Sequence, residues 1–168
     1  MTDERNQPKT RCGFVAVVGA PNAGKSTLLN RIVGSKVAIV TPKAQTTRTR
    51  ILGIWTADEV QIAFVDTPGI FAPKRRLDRA MVSAAWQAAG DADRIVALID
   101  AGRASRAGEA GFAEMTEMLA NLVRGDVKPI LALNKIDTLD REALLPLIDR
   151  LDKTGQVDRT FLISALNG

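Results

Sequence analysis

One short segment near the start of the chain constrains the fold more than any other part of the sequence. It has the form G-x-x-x-x-G-K-S, and its residues are Gly19, Ala20, Pro21, Asn22, Ala23, Gly24, Lys25 and Ser26. An apolar run at residues 14–18 precedes it, and apolar residues at helical spacing follow it as far as Gly34. The pattern predicts a strand, a glycine-rich turn and a helix, the arrangement that surrounds a phosphate group with backbone N–H groups.

The residue types in this segment are those that phosphate binding requires. Gly19 and Gly24 allow backbone amides to approach a β-phosphate, and Lys25 supplies a positive charge for the β- and γ-phosphates. The Ser26 hydroxyl is a candidate Mg²⁺ ligand, and Thr27 follows it in the first turn of the helix. A chance match has a probability of roughly one per cent in a chain of this size. We therefore predict a nucleotide phosphate site at residues 19–27, which we call the phosphate loop.

Apolar runs of strand length alternate with segments of helical period along the rest of the chain. We predict strands at residues 14–18, 50–56, 60–65, 95–100, 129–133 and 160–163, and further helices near residues 77–90, 108–124 and 140–152. The short connection between the second and third strands predicts an antiparallel hairpin. The fold class is therefore α/β, a P-loop NTPase with a doubly wound mixed sheet of six strands and one antiparallel edge strand. Ligands bind such a sheet at the carboxyl ends of its parallel strands.

Composition limits the other classes of protein. The 168 residues, 46% of them hydrophobic, suffice for one buried core; we expect a disordered lead-in at residues 1–10 and one domain at residues 11–168. No apolar run reaches the roughly 18 residues of a membrane span, and the start lacks the apolar core of a signal peptide, so we expect a cytoplasmic location. Cys12 is the single cysteine and histidine is absent, which excludes an internal disulfide, a Cys/His zinc site and a histidine general base.

The charge balance is compatible with an anionic partner such as RNA but does not require one. Lys and Arg outnumber Asp and Glu by 23 to 19, a net charge of +4 that is common among proteins with no such partner. The one dense basic cluster consists of Lys74, Arg75, Arg76 and Arg79. A run this short is usually a solvated face.

A second motif, Asp66-Thr67-Pro68-Gly69, directly follows the third predicted strand. The Asp66 carboxylate can hold Mg²⁺ through a water molecule, and the Gly69 amide can contact a γ-phosphate. In isolation such a tetrapeptide is equally well explained as a turn. Its place after a strand that follows the phosphate loop favours the metal-side interpretation.

A third motif, Asn134-Lys135-Ile136-Asp137, lies at the end of the fifth predicted strand and identifies the base of the nucleotide. Guanine presents its N1–H and N2–H₂ donors side by side, so the single carboxylate of Asp137 can accept from both, whereas adenine would leave that carboxylate unpaired. We expect Asn134 to tie this loop to the phosphate loop and Lys135 to lay its aliphatic stem over the base. The alternative is an ordinary surface turn.

A dipeptide after the sixth predicted strand completes the set. Ser164-Ala165 carries no signal by itself, but it lies where the Ala165 N–H can reach the O6 atom of guanine. Together the motifs predict a site for GTP or GDP with Mg²⁺.

These motifs, in this order, resemble the translation-factor-related P-loop GTPases over essentially the whole chain. The phrases GAPNAGKSTLLNRIVGSKVAIVTPKAQTTRTRILGI and FVDTPGIFAPKRRLDRAM are similar to the GTPase domain of the Era family, bacterial GTPases that take part in small ribosomal subunit assembly. The resemblance implies a slow GTP-hydrolysing switch that acts with 16S rRNA and the 30S subunit. It also implies a cytoplasmic protein that can associate peripherally with the inner membrane.

The resemblance also implies residues that the bare motifs do not show. A switch threonine closes on Mg²⁺ in such enzymes, and of Thr46 and Thr47 we favour Thr47 because it adjoins Arg48. A polar loop ahead of a strand is the alternative. Lys25, Thr47, Gly69 and Asn22 are then the candidate catalytic residues.

The sequence departs from Ras-like enzymes at Ile70, where those enzymes carry the glutamine that orients the attacking water. Asn22 matches the asparagine that helps to hold a K⁺ ion beside the phosphates in several Era-like GTPases, where the cation would neutralise developing charge. A good loop residue after Pro21 is the alternative explanation of Asn22.

Era-family proteins carry an RNA-binding KH domain after the GTPase domain, and no KH signature is present here. We also expect the last helix of the domain to be missing after Gly168, which would leave apolar surface on one face of the sheet. Two other functions stay open: a GTPase of the tRNA-modifying or large-subunit-assembly relatives, against which Ala44-Gln45 argues, and a passive nucleotide-binding module.

Overall fold

A computed structural model of the protein describes residues 10–34, 51–65, 92–123 and 126–168. The strands in these ranges are β1 Arg11–Gly19, β2 Ile51–Ala57, β3 Val60–Val65, β4 Arg94–Asp100, β5 Ile130–Asn134 and β6 Arg159–Leu162. The α-helices are α1 Lys25–Val33, α2 Ala101–Arg106, α3 Gly108–Leu122 and α4 Arg141–Asp152, and a 3₁₀ turn spans Ile136–Thr138. All six predicted strands and the predicted helices at 108–124 and 140–152 agree with these bounds to within three residues at either end.

The strands form one mixed sheet in the order β2-β3-β1-β4-β5-β6. Every neighbouring pair is parallel except β2 and β3, which form the predicted antiparallel hairpin. The chain leaves β1 toward one side of the sheet and reaches β4 on the other side. The carboxyl ends of β1 and β4 therefore flank the topological switch point, where open α/β sheets bind their ligands.

Apolar side chains cover both faces of the sheet because its inner strands are parallel and buried. On the first face, residues of the inner strands pack against α3 and α4, whose most buried residues are Leu119, Leu122 and Leu151. On the second face, Leu29 of α1 packs with residues of β1, β3, β4 and β5, which are Val17, Phe64, Leu98 and Ala132. The strand ends that carry the sequence motifs are thus held by a core on each side.

The second face also carries apolar surface that the described helices leave open. Phe161 lies in register with Ala132 on this face and is 49% exposed, and Ile32 of α1 is 39% exposed. Such exposure is what we expect of a face that a further helix covers, and that helix remains a prediction. None of the helices in the described ranges combines the length and the apolarity of a membrane span.

The sequence pattern missed α2. This helix has only six residues, Ala-Gly-Arg-Ala-Ser-Arg, which include poor helix formers and too few apolar positions for a periodic signal. It forms because the Asp100 side chain caps it, accepting a hydrogen bond from the Arg103 N–H at 2.9 Å. The predicted helix at 77–90, the basic cluster at 74–79 and residues 1–9 of the lead-in lie outside the described residues.

Candidate nucleotide-binding site

Four loops meet at the carboxyl edge of the sheet. They follow β1, β4, β5 and β6, and they begin at Gly19, Asp100, Asn134 and Leu162. Parallel pairing aligns Gly19 with Leu98 and Asp100 with Asn134, so these loops leave the sheet at similar heights. Three of the four carry a motif from the sequence analysis: the phosphate loop (residues 19–27), the base loop (residues 134–138) and the terminal loop (residues 163–168).

The phosphate loop turns through two left-handed residues, Asn22 at φ 63° and Gly24 at φ 102°. Gly24 needs to be glycine for a second reason, since a Cβ atom there would collide with the Nδ2 atom of Asn134. Gly19 has a similar constraint, because a Cβ atom would collide with the carbonyl oxygen of Leu98 on the neighbouring strand. Both glycines thus allow the backbone approach that a phosphate cradle requires.

The charged end of Lys25 lies against the first part of its own loop. Its Nζ atom donates to the carbonyl oxygens of Gly19 at 2.8 Å and Ala20 at 3.0 Å. Ser26 and Thr27 are exposed at the N-terminus of α1, where the first backbone N–H groups have no partner within the helix. The end of the loop and the start of α1 therefore supply a lysine charge, an exposed hydroxyl and a helix N-terminus, the combination that suits a Mg²⁺-bound phosphate chain.

Asn134 joins three parts of the site. Its side chain is 1% exposed; its Nδ2 group donates to the Ala23 carbonyl at 2.8 Å, and its Oδ1 atom accepts from the Ala165 N–H at 2.8 Å. The expected link between the base loop and the phosphate loop is confirmed. The Ala165 N–H, which we expected to reach guanine O6, donates to Asn134 in this structure.

Lys135 bridges the phosphate loop and the end of β4. Its backbone is left-handed at φ 64°, and its Nζ atom donates to the Asn22 carbonyl and to Asp100 Oδ2, each at 2.8 Å. Burial alone raises the pKa of Asp100, but the hydrogen bonds from Lys135 and from the Arg103 N–H outweigh it and leave that pKa below its usual value. Asp100 is therefore ionised at neutral pH.

The 3₁₀ turn after Lys135 presents the base-reading carboxylate. Thr138 closes the turn by donating to the Lys135 carbonyl from its N–H at 3.0 Å and from its Oγ1 at 2.7 Å. Asp137 lies within the turn and is exposed. A carboxylate held on a hydrogen-bonded turn is available for the paired donors of guanine.

Hydrogen bonds hold the loop after β6 both internally and against α1. Ser164 is 8% exposed, and its Oγ atom accepts from the Asn167 N–H at 3.1 Å. Arg31 of α1 donates to the Leu166 carbonyl at 2.8 Å and to the Asn167 carbonyl at 2.9 Å. The helix that follows the phosphate loop thus also holds the segment next to Ser164 and Ala165.

The structure brings together the predicted residues of the phosphate, base and terminal loops, and the switch-side residues lie outside the described ranges. Those are Thr46, Thr47, Asp66, Gly69 and Ile70. Of the three predicted Mg²⁺ ligands, Ser26 is the one that the structure describes. Sequence reasoning missed Asp100 and Arg31; Asp100 had one available signal, its place at the carboxyl end of a parallel strand.

A family model described as 50S ribosome-binding GTPase matches residues 14–135, which include the phosphate loop and the first two residues of the base motif, Asn134 and Lys135. The chain belongs to this GTPase family. It is 53% identical over 167 residues to GTPase Era of Brucella suis biovar 1, covering 98% of this chain and 51% of that protein. GTPase Era of Agrobacterium fabrum is also 53% identical, over 100% of this chain and 51% of its own length. The chain therefore spans about half the length of these relatives.

Two solved structures share the fold of this chain. Era in complex with MgGDPNP and nucleotides 1506–1542 of 16S ribosomal RNA superposes with a TM-score of 0.73 at 42% identity, over 95% of this chain and 53% of that one. The G domain of the Thermotoga maritima FeoB iron transporter, 24% identical with a TM-score of 0.59 and covered over 90% of its length, shares the fold alone. The Era relatives agree with the resemblance that the switch-region phrases indicated.

Proposed function

We propose that this domain binds GTP with Mg²⁺, hydrolyses GTP slowly and changes conformation as it does so. The observation that carries the proposal is the convergence on Asn134, through which one buried amide joins the phosphate loop, the base loop and the terminal loop. A site assembled in this way would contact both the phosphates and the base of a guanine nucleotide. Membership of a GTPase family supports hydrolysis as the reaction.

The described residues fit both ends of the nucleotide. The turn at Asn22 and Gly24 exposes the N-terminus of α1 to the phosphates, with Lys25 beside it, and Asp137 is exposed where guanine donors would meet a carboxylate. The Lys135 stem, anchored at both Asn22 and Asp100, is proposed to lie over the base. Residues 19–27 would hold the phosphates, and Ser164 and Ala165 would close the base side.

For the metal, we propose Ser26, Asp66 and Thr47 as the residues that hold Mg²⁺, with Gly69 beside the γ-phosphate. Mg²⁺ supplies neutralisation of the charge on the β- and γ-phosphate oxygens when it is bound. The Ser26 hydroxyl fits this role because it is exposed at the N-terminus of α1. Thr46 remains the alternative to Thr47.

Slow hydrolysis follows from the residues that are absent. The chain has no histidine, and Ile70 cannot orient a water molecule as glutamine does in Ras-like enzymes. We propose that a K⁺ ion held near Asn22 substitutes for part of that catalysis. Asparagine adopts the left-handed backbone conformation readily, so the φ of 63° is a second explanation for an asparagine at position 22. A test must therefore separate a role in K⁺ binding from a role in the backbone turn.

The first test is phosphate release from GTP in potassium and in sodium salts. We expect K⁺ to raise the rate by about tenfold or more, a conservative share of what one charge-stabilising group supplies, and we expect no comparable release from ATP. An Asn22→Gly variant, rather than Asn22→Ala, keeps the left-handed turn without strain and removes only the side chain. Its stimulation by K⁺ should disappear.

Two outcomes would contradict the parts of this proposal separately. Equal rates in both salts, with release intact, would remove the K⁺ ion and leave the GTPase. No release from GTP in either salt, while GDP still binds, would make the domain a passive nucleotide-binding module. Asn30→Ala is a suitable control because Asn30 is an exposed asparagine on α1, and its response to K⁺ should match that of the unchanged chain.

We propose small ribosomal subunit assembly as the output of the switch. The family description names the 50S subunit, but the relatives at 53% identity are Era proteins, and one solved Era structure contains part of 16S rRNA. Because those relatives are about twice as long, we propose that a KH domain outside this chain contacts the RNA. We place the protein in the cytoplasm, with peripheral contact to the inner membrane as a further proposal.

Sedimentation of the full-length protein with purified ribosomal subunits tests this output. We expect the protein with a non-hydrolysable GTP analogue to sediment with 30S particles and not with 50S particles. Sedimentation with 50S particles alone would favour the large-subunit relatives instead.

A further inference from the structure

Asp100 divides its carboxylate between two parts of the nucleotide site. Its Oδ1 atom accepts from the Arg103 N–H at 2.9 Å and caps α2, and its Oδ2 atom accepts from Lys135 Nζ at 2.8 Å. Its side chain is 20% exposed, so the carboxylate is mostly withdrawn from water. None of the nucleotide motifs includes this residue.

Contacts at its Nζ atom order the side chain of Lys135. The residue is left-handed at φ 64°, a conformation that L-residues adopt infrequently, and its long side chain would otherwise sample many rotamers. The Asn22 carbonyl and the Asp100 carboxylate hold the ammonium from two sides. Of these partners, the carboxylate is the charged one and makes the stronger hydrogen bond.

We propose that Asp100 is a positioning residue for guanine-nucleotide binding. Its ion pair fixes the Lys135 stem where the base would stack and, through Lys135, holds the carbonyl of Asn22 in the phosphate loop. The inference rests on the proposed nucleotide site and adds the residue that orders it before the ligand arrives. Order established in advance lowers the cost of binding.

The helix cap complicates the choice of variant. Asp100→Ala would remove the cap of α2 as well as the ion pair, and α2 lies against the base loop, since a Cβ atom on Gly102 would lie 2.9 Å from Thr138 Oγ1. Asn and Ser both cap helices as well as Asp does. Asp100→Asn and Asp100→Ser therefore keep the cap and remove the negative charge that Lys135 contacts.

The test is GDP affinity measured by titration calorimetry on the same chain. We expect Asp100→Asn and Asp100→Ser each to bind GDP on the order of tenfold more weakly, the effect of one partly exposed charge-assisted hydrogen bond. Their melting temperatures should be slightly lower, because the lowered pKa of Asp100 means that its charge also stabilises the folded state. Lys135→Met should also weaken binding, and adding Asp100→Asn to it should cost nothing more. Glu109→Gln is the matched control, because it removes one carboxylate charge from an ion pair with Arg150 and should leave affinity unchanged.

The outcomes separate this inference from the proposed function. GDP affinities equal to that of the unchanged chain in both Asp100 variants would overturn the positioning role while leaving the nucleotide site intact. Additive losses in the Asp100→Asn, Lys135→Met pair would also overturn it, because a residue that acts through Lys135 cannot matter once Lys135 is gone. Failure of the unchanged chain itself to bind GDP would instead contradict the proposed function.

Discussion

An Asp137→Asn variant is expected to bind xanthosine diphosphate in preference to GDP. Asparagine offers one acceptor and one donor, so it cannot satisfy both donors of guanine, whereas xanthine presents an acceptor at the same position. Sites built to hydrogen-bond a ligand reject a mismatch by about 10⁴-fold, and we expect GDP affinity to fall by about 10³-fold or more on that basis. Because Asp137 is exposed, the free energy of unfolding should change by less than about 0.5 kcal/mol.

Competition of GDP and xanthosine diphosphate against a fluorescent guanine nucleotide measures this change in preference. Asp140→Asn makes the same substitution at an exposed aspartate that precedes α4, and asparagine can still occupy that N-cap position. Its base preference should remain that of the unchanged chain. If Asp137→Asn kept its preference for GDP, the base-reading role would belong to another residue.

The motif residues could be predicted because a nucleotide dictates both their type and their place. Phosphate needs glycines and a lysine at a strand-to-helix turn, and the structure forms that turn at Gly24, with α1 beginning at Lys25. The strands of the sheet could also be predicted from the sequence, since parallel strands buried on both faces appear as continuous apolar runs. The antiparallel hairpin followed from the short connection at Asp58, which takes the left-handed conformation at φ 48°.

The pairing of Asp100 with Lys135 could not be predicted in the same way. The two residues are 35 positions apart, and they meet because the register of β4 and β5 sets Asp100 directly opposite Asn134. Apolar patterning predicts that two strands exist, but neighbour choice and register depend on packing across the whole sheet. The side chain at each strand end therefore acquires its partner only in the folded protein.

The Ala165 N–H shows a second limit of sequence reasoning. Chain order alone placed this donor near the base, but the folded chain directs it to Asn134 Oδ1 at 2.8 Å. A buried amide oxygen must find a donor, and the backbone that passes beside it supplies one. Sequence motifs predict which groups gather at a site, while burial decides which of them bond to one another.

Asn134→Ala is expected to lower the free energy of unfolding by about 2–5 kcal/mol, because it leaves two buried backbone groups without the hydrogen-bond partner that the asparagine provides. The Ala23 carbonyl and the Ala165 N–H would each lose a partner at 2.8 Å, in a position where the side chain is 1% exposed to water. That loss is a large share of the roughly 5–15 kcal/mol that keeps an ordinary domain folded. Nucleotide affinity should fall too, since the three loops would no longer share an anchor.

Urea unfolding without nucleotide measures the stability loss directly, and Asn167→Ala provides the matched control at an exposed asparagine of the terminal loop. The control should stay within about 0.5 kcal/mol of the unchanged chain. Saturating GDP should restore part of the stability of Asn134→Ala, because a ligand that binds only the folded state stabilises it by mass action. A loss no larger than that of the control would mean that water or neighbouring groups satisfy both backbone atoms, and Asn134 would then serve the nucleotide and not the fold.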